Sequence, residues 1–170
     1  MDHFAKPDDE LAVAQREGKL YRNFQGYSTH AECDLIAMGI TAIGKVGNTF
    51  SQNVKTLEQY YEIIDAGQLP IYRGLLLSDD DLLRQKVISE LICHFDLSIP
   101  RIEDAYGIVF ADYFSTELKE LQAMQDDALL EISADRIMVR PIGRLLIRNI
   151  CMVFDKYLRQ QTRQAYSKVI

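Results

Sequence analysis

Ser78-Asp-Asp-Asp-Leu-Leu-Arg-Gln-Lys-Val-Ile-Ser-Glu-Leu-Ile-Cys-His-Phe95 is the stretch on which the reading of the fold turns. Ser78 followed by three aspartates caps and charges a helix N-terminus, where side-chain acceptors and negative charge meet free N–H groups. Leu83, Val87, Leu91 and Phe95, flanked by Ile88 and Ile92, recur at helical spacing and form one apolar face. A long amphipathic helix is expected here, with a core packed against that face.

Toward the C-terminus, Pro100 is expected to interrupt the chain, and Ile102–Tyr106 supplies about one helical turn. Tyr113, Phe114, Leu118, Leu121 and Met124 predict another amphipathic helix. Leu129–Ile132 and Ile137–Val139 are short β-type runs joined at Ser133-Ala-Asp-Arg136, a hairpin. Pro141 suits the first turn of a final helix, with Leu146, Ile150, Val153, Phe154 and Tyr157 as its buried stripe. Helices, a hairpin and another helix make a winged-helix-like order, which by itself says nothing about function.

Toward the N-terminus, Pro7-Asp8-Asp9-Glu10 opens a short helix that Gly18 ends. Lys19–Thr29 reads as extended; Cys33–Gly47, an apolar run with regular glycines, is either a bulged extended segment, which is favoured, or a loosely packed helix. Asn48–Val54 is polar and loop-like. Thr56-Leu-Glu-Gln59 has capping-box form before a helix carrying Leu57, Tyr60, Tyr61 and Ile64 and ending at Gly67. Ile71–Leu77 looks like an extended connector. Composition changes after it, so the expected domains are 1–77 and 78–170, in an α+β chain.

Composition narrows the function classes. With 170 residues and 48% hydrophobic content the chain can bury a core. A net charge of −6 argues against a nucleic-acid binder, whose affinity needs clustered cations. No apolar run is long enough to span a bilayer and no signal peptide precedes Asp2, so no membrane partner and a cytoplasmic location are expected. Cys33, Cys93 and Cys151 are far apart and read as small buried thiols in a reducing compartment. No catalytic triad, phosphate loop or dinucleotide fingerprint is present.

Tyr21–Thr29 and Asp34–Gly47 combine burial with access. Phe24, Ile36, Met38, Ile40, Ile43 and Val46 are apolar, while Gly26, Gly39, Gly44 and Gly47 leave the backbone bare, as where a ligand or second backbone approaches. Phe24 could stack on a ligand ring or belong to the core; Gln25 could fix a ligand by hydrogen bonds or sit at the surface. His3, His30 and His94 have no partner at metal-ligand spacing. From Arg140 onward Arg140, Arg144, Arg148, Lys156, Arg159, Arg163 and Lys168 face Asp155 alone. That basic tail is a solvated flank, a carboxylate-recognising surface or, ranked last, a DNA-backbone contact.

Arg22-Asn-Phe-Gln-Gly-Tyr-Ser-Thr29, Asp34-Leu-Ile-Ala-Met-Gly39 and Gly143-Arg-Leu-Leu-Ile-Arg-Asn-Ile-Cys151 carry a family resemblance. They resemble the C-terminal part of oxygen-independent coproporphyrinogen III oxidase, a radical S-adenosylmethionine family of haem biosynthesis. The likeness runs from Met1 to Ile170, and Asp2-His-Phe-Ala-Lys-Pro7 resembles the point where the family's catalytic barrel is ending. It implies the end of a radical-SAM (β/α) partial barrel followed by a mostly helical, winged-helix-like domain. It also implies that S-adenosylmethionine is contacted by the positions matching Phe24, Gln25 and Ile43.

The implied reaction uses a [4Fe–4S] cluster and S-adenosylmethionine to generate a 5′-deoxyadenosyl radical. That radical abstracts hydrogen from two propionates of coproporphyrinogen III, giving the vinyl groups of protoporphyrinogen IX. An electron donor and an electron acceptor are implied partners. The Cys-x3-Cys-x2-Cys cluster signature is absent from these residues, so the ligands are expected in an N-terminal barrel preceding them, and the chain alone is expected to be inactive. The alternative is a non-catalytic haem-chaperone-like binding module of the same superfamily.

Overall fold

The computed structural model describes residues 5–31 and 33–160. They form two compact units: one runs to Ala14 and resumes over Lys19–Leu83, the other comprises Gln15–Gly18 and the chain from Arg84.

α1 (Glu10–Arg16), divided between the units after Ala14, starts beside Asp9, whose carboxylate accepts from the Leu11 amide at 2.9 Å. β1 (Tyr21–Arg22) and β2 (Tyr27–Ser28) form a two-stranded hairpin. The run expected to extend from Cys33 to Gly47 instead doubles back. Leu35 bridges to Lys45, and only β3 (Ile43–Val46) is a strand. Thr41, at φ 58°, lies in the reversal, and Asn53 Nδ2 holds it by donating to the Gly39 carbonyl at 2.9 Å. Gly44 is where two backbones approach: a Cβ there would stand 2.8 Å from the Leu35 carbonyl oxygen.

Asn48–Val54, expected as a loop, is largely β4 (Thr49–Asn53). Gly47-Asn48 is a two-residue hairpin loop, and Gly47 takes the positive φ of 53° that such a turn requires. Polar strand residues hid the pattern, because β4 pairs on both edges through its backbone while its side chains remain half exposed. The expected connector after Pro70 is β5 (Ile71–Leu76), completing an antiparallel sheet in the order β3-β4-β5. Between β4 and β5 lies α2 (Leu57–Asp65), capped by the Thr56 hydroxyl as its sequence foretells. All six residues of β5 are exposed, among them Leu76 at 75%.

The boundary between the units falls inside α3 (Asp79–His94). Its start is a reciprocal cap: the Asp81 amide donates to Ser78 Oγ, and Asp81 Oδ2 accepts from the Ser78 amide at 2.9 Å. Val87 and Leu91 are fully buried. Phe95 leaves the helix at φ 60°, a strained conformation for a bulky side chain, and its carbonyl accepts from the Val139 amide. The chain then enters β6 (Asp96–Ser98), which the periodicity did not foretell.

Pro100 is a correction too. It interrupts nothing but sits in the first turn of α4 (Ile99–Tyr106), where its missing N–H is not needed. α5 (Phe110–Tyr113) and α6 (Ser115–Asp126) follow, then the foretold hairpin of β7 (Leu130–Ile132) and β8 (Arg136–Val139). The sheet order is β6-β8-β7.

The single final helix expected from Pro141 is broken into a 3-10 turn (Gly143–Leu146), α7 (Ile147–Met152) and α8 (Lys156–Gln160). Gly143 packs so closely that a Cβ would collide with the Leu129 backbone. Ile150 and Phe154 are buried, whereas Leu146 and Tyr157 of the expected stripe are 36% and 40% exposed. The core of this unit is aromatic, with Phe114 packed against Phe110 at 4.7 Å and Phe154 at 5.4 Å between ring centroids.

Candidate functional site

The β1–β2 hairpin carries Phe24 and Gln25 at its tip. Asn23 makes the turn: its side-chain oxygen accepts from the Gln25 amide at 2.8 Å and the Gly26 amide at 3.2 Å, leaving both following side chains directed outward. Phe24 stays 57% exposed, a costly position for an aromatic ring unless something covers it. Its ring meets Phe50 of β4 edge-on at 5.1 Å.

Sheet register supplies the rest. Ile43, Gln52 and Arg73 are direct cross-strand neighbours, one row across β3, β4 and β5, and Phe50 pairs with Leu75 two residues along. Side chains two apart share a face, so both rows look the same way. Together with Phe24 they line a cavity of about 410 Å³. Its wall is mostly apolar, with Ser51, Gln52 and Arg73 as the polar residues. Arg73 Nε donates to Gln52 Oε1 at 2.9 Å, and Gln52 Nε2 donates to the Thr41 carbonyl at 3.2 Å. The guanidinium is thereby oriented by one nitrogen, while its other two make no bond among the described residues. Such a fork accepts a carboxylate or phosphate.

Of the three residues singled out from sequence, the structure brings Phe24 and Ile43 to one concave surface. Gln25 is exposed in the adjacent turn and is not part of the wall. Phe50, Gln52 and Arg73 were missed. The Gly47-Asn48 pair between two runs was a hairpin signal that would have placed the first two on a strand.

The other candidates are placed as follows. His3, Arg163 and Lys168 lie outside the described residues, and His30 is exposed. Cys93 and Cys151 are buried as expected, but Cys33 is exposed. No group of three His, Cys, Asp or Glu among the described residues could hold a metal ion. In the basic tail, Arg144 lies over the Phe95 ring at 4.7 Å and Arg140 pairs with Glu131 at 3.3 Å, so both have partners within the fold. Among the described residues no helix is long and apolar enough to cross a membrane.

Residues 77–146 match the family described as the HemN C-terminal domain. Along its whole length the chain is 52% identical to the oxygen-independent coproporphyrinogen III oxidase of Escherichia coli K12, covering 37% of that protein. The enzyme of the same name from Pseudomonas aeruginosa is 48% identical, again with 37% of it covered. A solved structure described as "Coproporphyrinogen III oxidase (HemN) from Escherichia coli is a Radical SAM enzyme" superposes with a TM-score of 0.89 at 51% identity, over 92% of this chain and 36% of that one. Over its whole length the chain is similar to part of the oxygen-independent coproporphyrinogen III oxidases.

The match to the HemN C-terminal domain starts at Leu77, one residue before the capping Ser78. The chain spans little more than a third of the length of these two relatives. Those relatives are named as oxidases, which favours the oxidase reading over a haem-chaperone-like module.

Proposed function

We propose that the intact protein is an anaerobic coproporphyrinogen dehydrogenase. It removes a hydrogen atom, an electron and carbon dioxide from each of two propionates of coproporphyrinogen III, leaving the vinyl groups of protoporphyrinogen IX. In this reading residues 1–77 close the end of a radical-SAM barrel and lead into a winged-helix-like domain over 78–170, for which the β6-β8-β7 sheet beside α3, α4 and α6 speaks. The identity with enzymes named for this reaction supports the assignment.

The observation that carries a role for this chain is the cavity under the exposed Phe24 ring, with Ile43 in its wall and Arg73 at its polar end. S-adenosylmethionine fits that combination, having a flat purine for an aromatic face and a carboxylate for a guanidinium. When bound, it supplies the hydrogen-abstracting chemistry that no side chain here provides. Phe24, Ile43 and Phe50 would pack on the ligand and exclude water. Gln25, at the mouth, would hydrogen-bond it, and Arg73 would orient its carboxylate.

The residues present do not fit an iron–sulfur cluster. Cys93 and Cys151 are buried, Cys33 is exposed, and no cluster of ligands forms among the described residues. The [4Fe–4S] ligands belong, on this reading, to the N-terminal barrel of the intact enzyme, which would also cover the exposed apolar residues of β5. An electron donor, an electron acceptor and a cytoplasmic setting complete it; the exposed unpaired Cys33 suits a reducing compartment. Substituting Phe24→Ala and Gln25→Ala in the intact protein tests the site. Weaker S-adenosylmethionine binding is expected, and unchanged affinity would remove these residues from it.

A further inference from the structure

A second concavity lies wholly within the unit built from Gln15–Gly18 and the chain after Arg84. Its volume is about 550 Å³, in the usual range for small-molecule sites. One wall is a face of α3 on which Lys86, Glu90 and His94 follow at four-residue spacing. Asp96 of β6, Arg136 of β8, Arg101 of α4 and Arg16 complete the charged lining.

The charges there do not cancel. Lys86 pairs with Glu90 at 2.6 Å and Arg136 with Asp96 at 3.8 Å, and each carboxylate is thereby matched by one cation. Arg16 and Arg101 are left with no ionic partner among the described residues. A surplus of two positive charges in one cleft stands out in a chain of net charge −6.

Unused hydrogen-bonding capacity collects at the same place. Three buried side-chain polar atoms have no partner among the described residues, and two of them, His94 Nδ1 and Asp96 Oδ1, belong to residues of this lining. A buried polar atom without a partner costs free energy. The start of α4 adds to this. Ser98 lines the cleft without capping the helix by its side chain, so the positive end of the helix faces an uncommitted hydroxyl.

We propose that this cleft is a ligand site for a small dianion bearing a hydroxyl or other donor group, of the phosphate-monoester or dicarboxylate class. The two unpaired guanidiniums meet the anionic oxygens, and the Ser98 hydroxyl accepts from the ligand's donor. A cationic or metal ligand would face four cations, and a purely apolar one would strand every charged group of the lining.

The full chain is titrated with inorganic phosphate and, separately, with succinate at constant ionic strength, following amide resonances and the His94 imidazole. Expected is saturable binding for at least one probe, seen as shifts of residues around the cleft including His94 and separate from any shifts around Arg73. Arg16→Ala with Arg101→Ala should weaken it by about tenfold or more, whereas Arg73→Ala should leave it unchanged. Both arginines are exposed, so the variant keeps its core. Saturation by phosphate alone assigns the monoester class, and saturation by succinate alone the dicarboxylate class. Absence of saturation by both, or binding that survives the double substitution, overturns the proposal.

Discussion

The rings of Phe24 and Phe50 meet edge to face, with centroids 5.1 Å apart and planes at 83°. Phe24 comes from a hairpin tip with few other supports, so Phe50 is what holds its ring over the cavity. Edge-to-face pairs are worth about 0.5–1.5 kcal/mol. Phe50→Ala in the intact protein should therefore raise the dissociation constant for S-adenosylmethionine roughly two- to tenfold through the loss of this pair alone. Equilibrium binding to the purified protein measures it.

Arg73 is steered by Gln52 through one bond at 2.9 Å. If its role is a two-pronged grip on a carboxylate, Arg73→Lys keeps the charge but loses the planar fork, and should behave much more like Arg73→Ala than like the parent. Gln52→Ala should produce a smaller loss, because the guanidinium remains but is less well oriented. Comparing the ligand affinities of all three substitutions decides this; a fully competent Arg73→Lys would reduce the site to a point charge.

Glu117 is 3% exposed and pairs with Arg84 at 2.8 Å and with Arg159 at 3.6 Å. Arg84 also donates to the Phe154 carbonyl and covers the Phe114 ring, so the pair is built into the aromatic core. Removing one partner of a buried pair leaves the other charge uncompensated. Glu117→Ala should cost about 3–5 kcal/mol of unfolding free energy. The Lys86–Glu90 pair, though shorter at 2.6 Å, is solvent-exposed on α3, and Glu90→Ala should cost no more than about 0.5 kcal/mol. Urea unfolding of the two variants gives the contrast.

Asp135, in the β7–β8 turn, has its carboxyl held below the ordinary aspartate range, first by the hydrogen bond from Ser133 Oγ at 2.6 Å. A depressed folded-state value favours the folded chain above the unfolded-state pKa, and that contribution disappears as pH falls through the folded-state value. Ser133→Ala should move the Asp135 midpoint upward. Carboxyl chemical shifts followed through acid titration read this directly, and an unmoved midpoint would show that the hydroxyl is not the cause.

Helices whose caps and apolar stripes lie in adjacent residues were readable directly. Ser78 and Asp81 cap α3, Thr56 caps α2, and Val87 and Leu91 are buried where their spacing put them. The β7–β8 hairpin was equally local. Strands defined by partners were not readable: β4 is polar except for Phe50, and β6 is three residues whose pairing with β8 lies about forty residues away. The final helix was overextended because the close approach of Gly143 to Leu129 is a tertiary contact.

For the candidate site the division is the same. The family likeness singled out Phe24, Gln25 and Ile43; the letters alone left Phe24 between core and ligand contact and Gln25 between surface and ligand contact. Which of them share a surface, and that Arg73 and Gln52 stand beside Ile43, depended on the register of β3, β4 and β5. Backbone propensity acts within a few residues of a position and is written there. Register is set by hydrogen bonds between segments brought together only on folding, so the cavity and its guanidinium existed nowhere in the linear order.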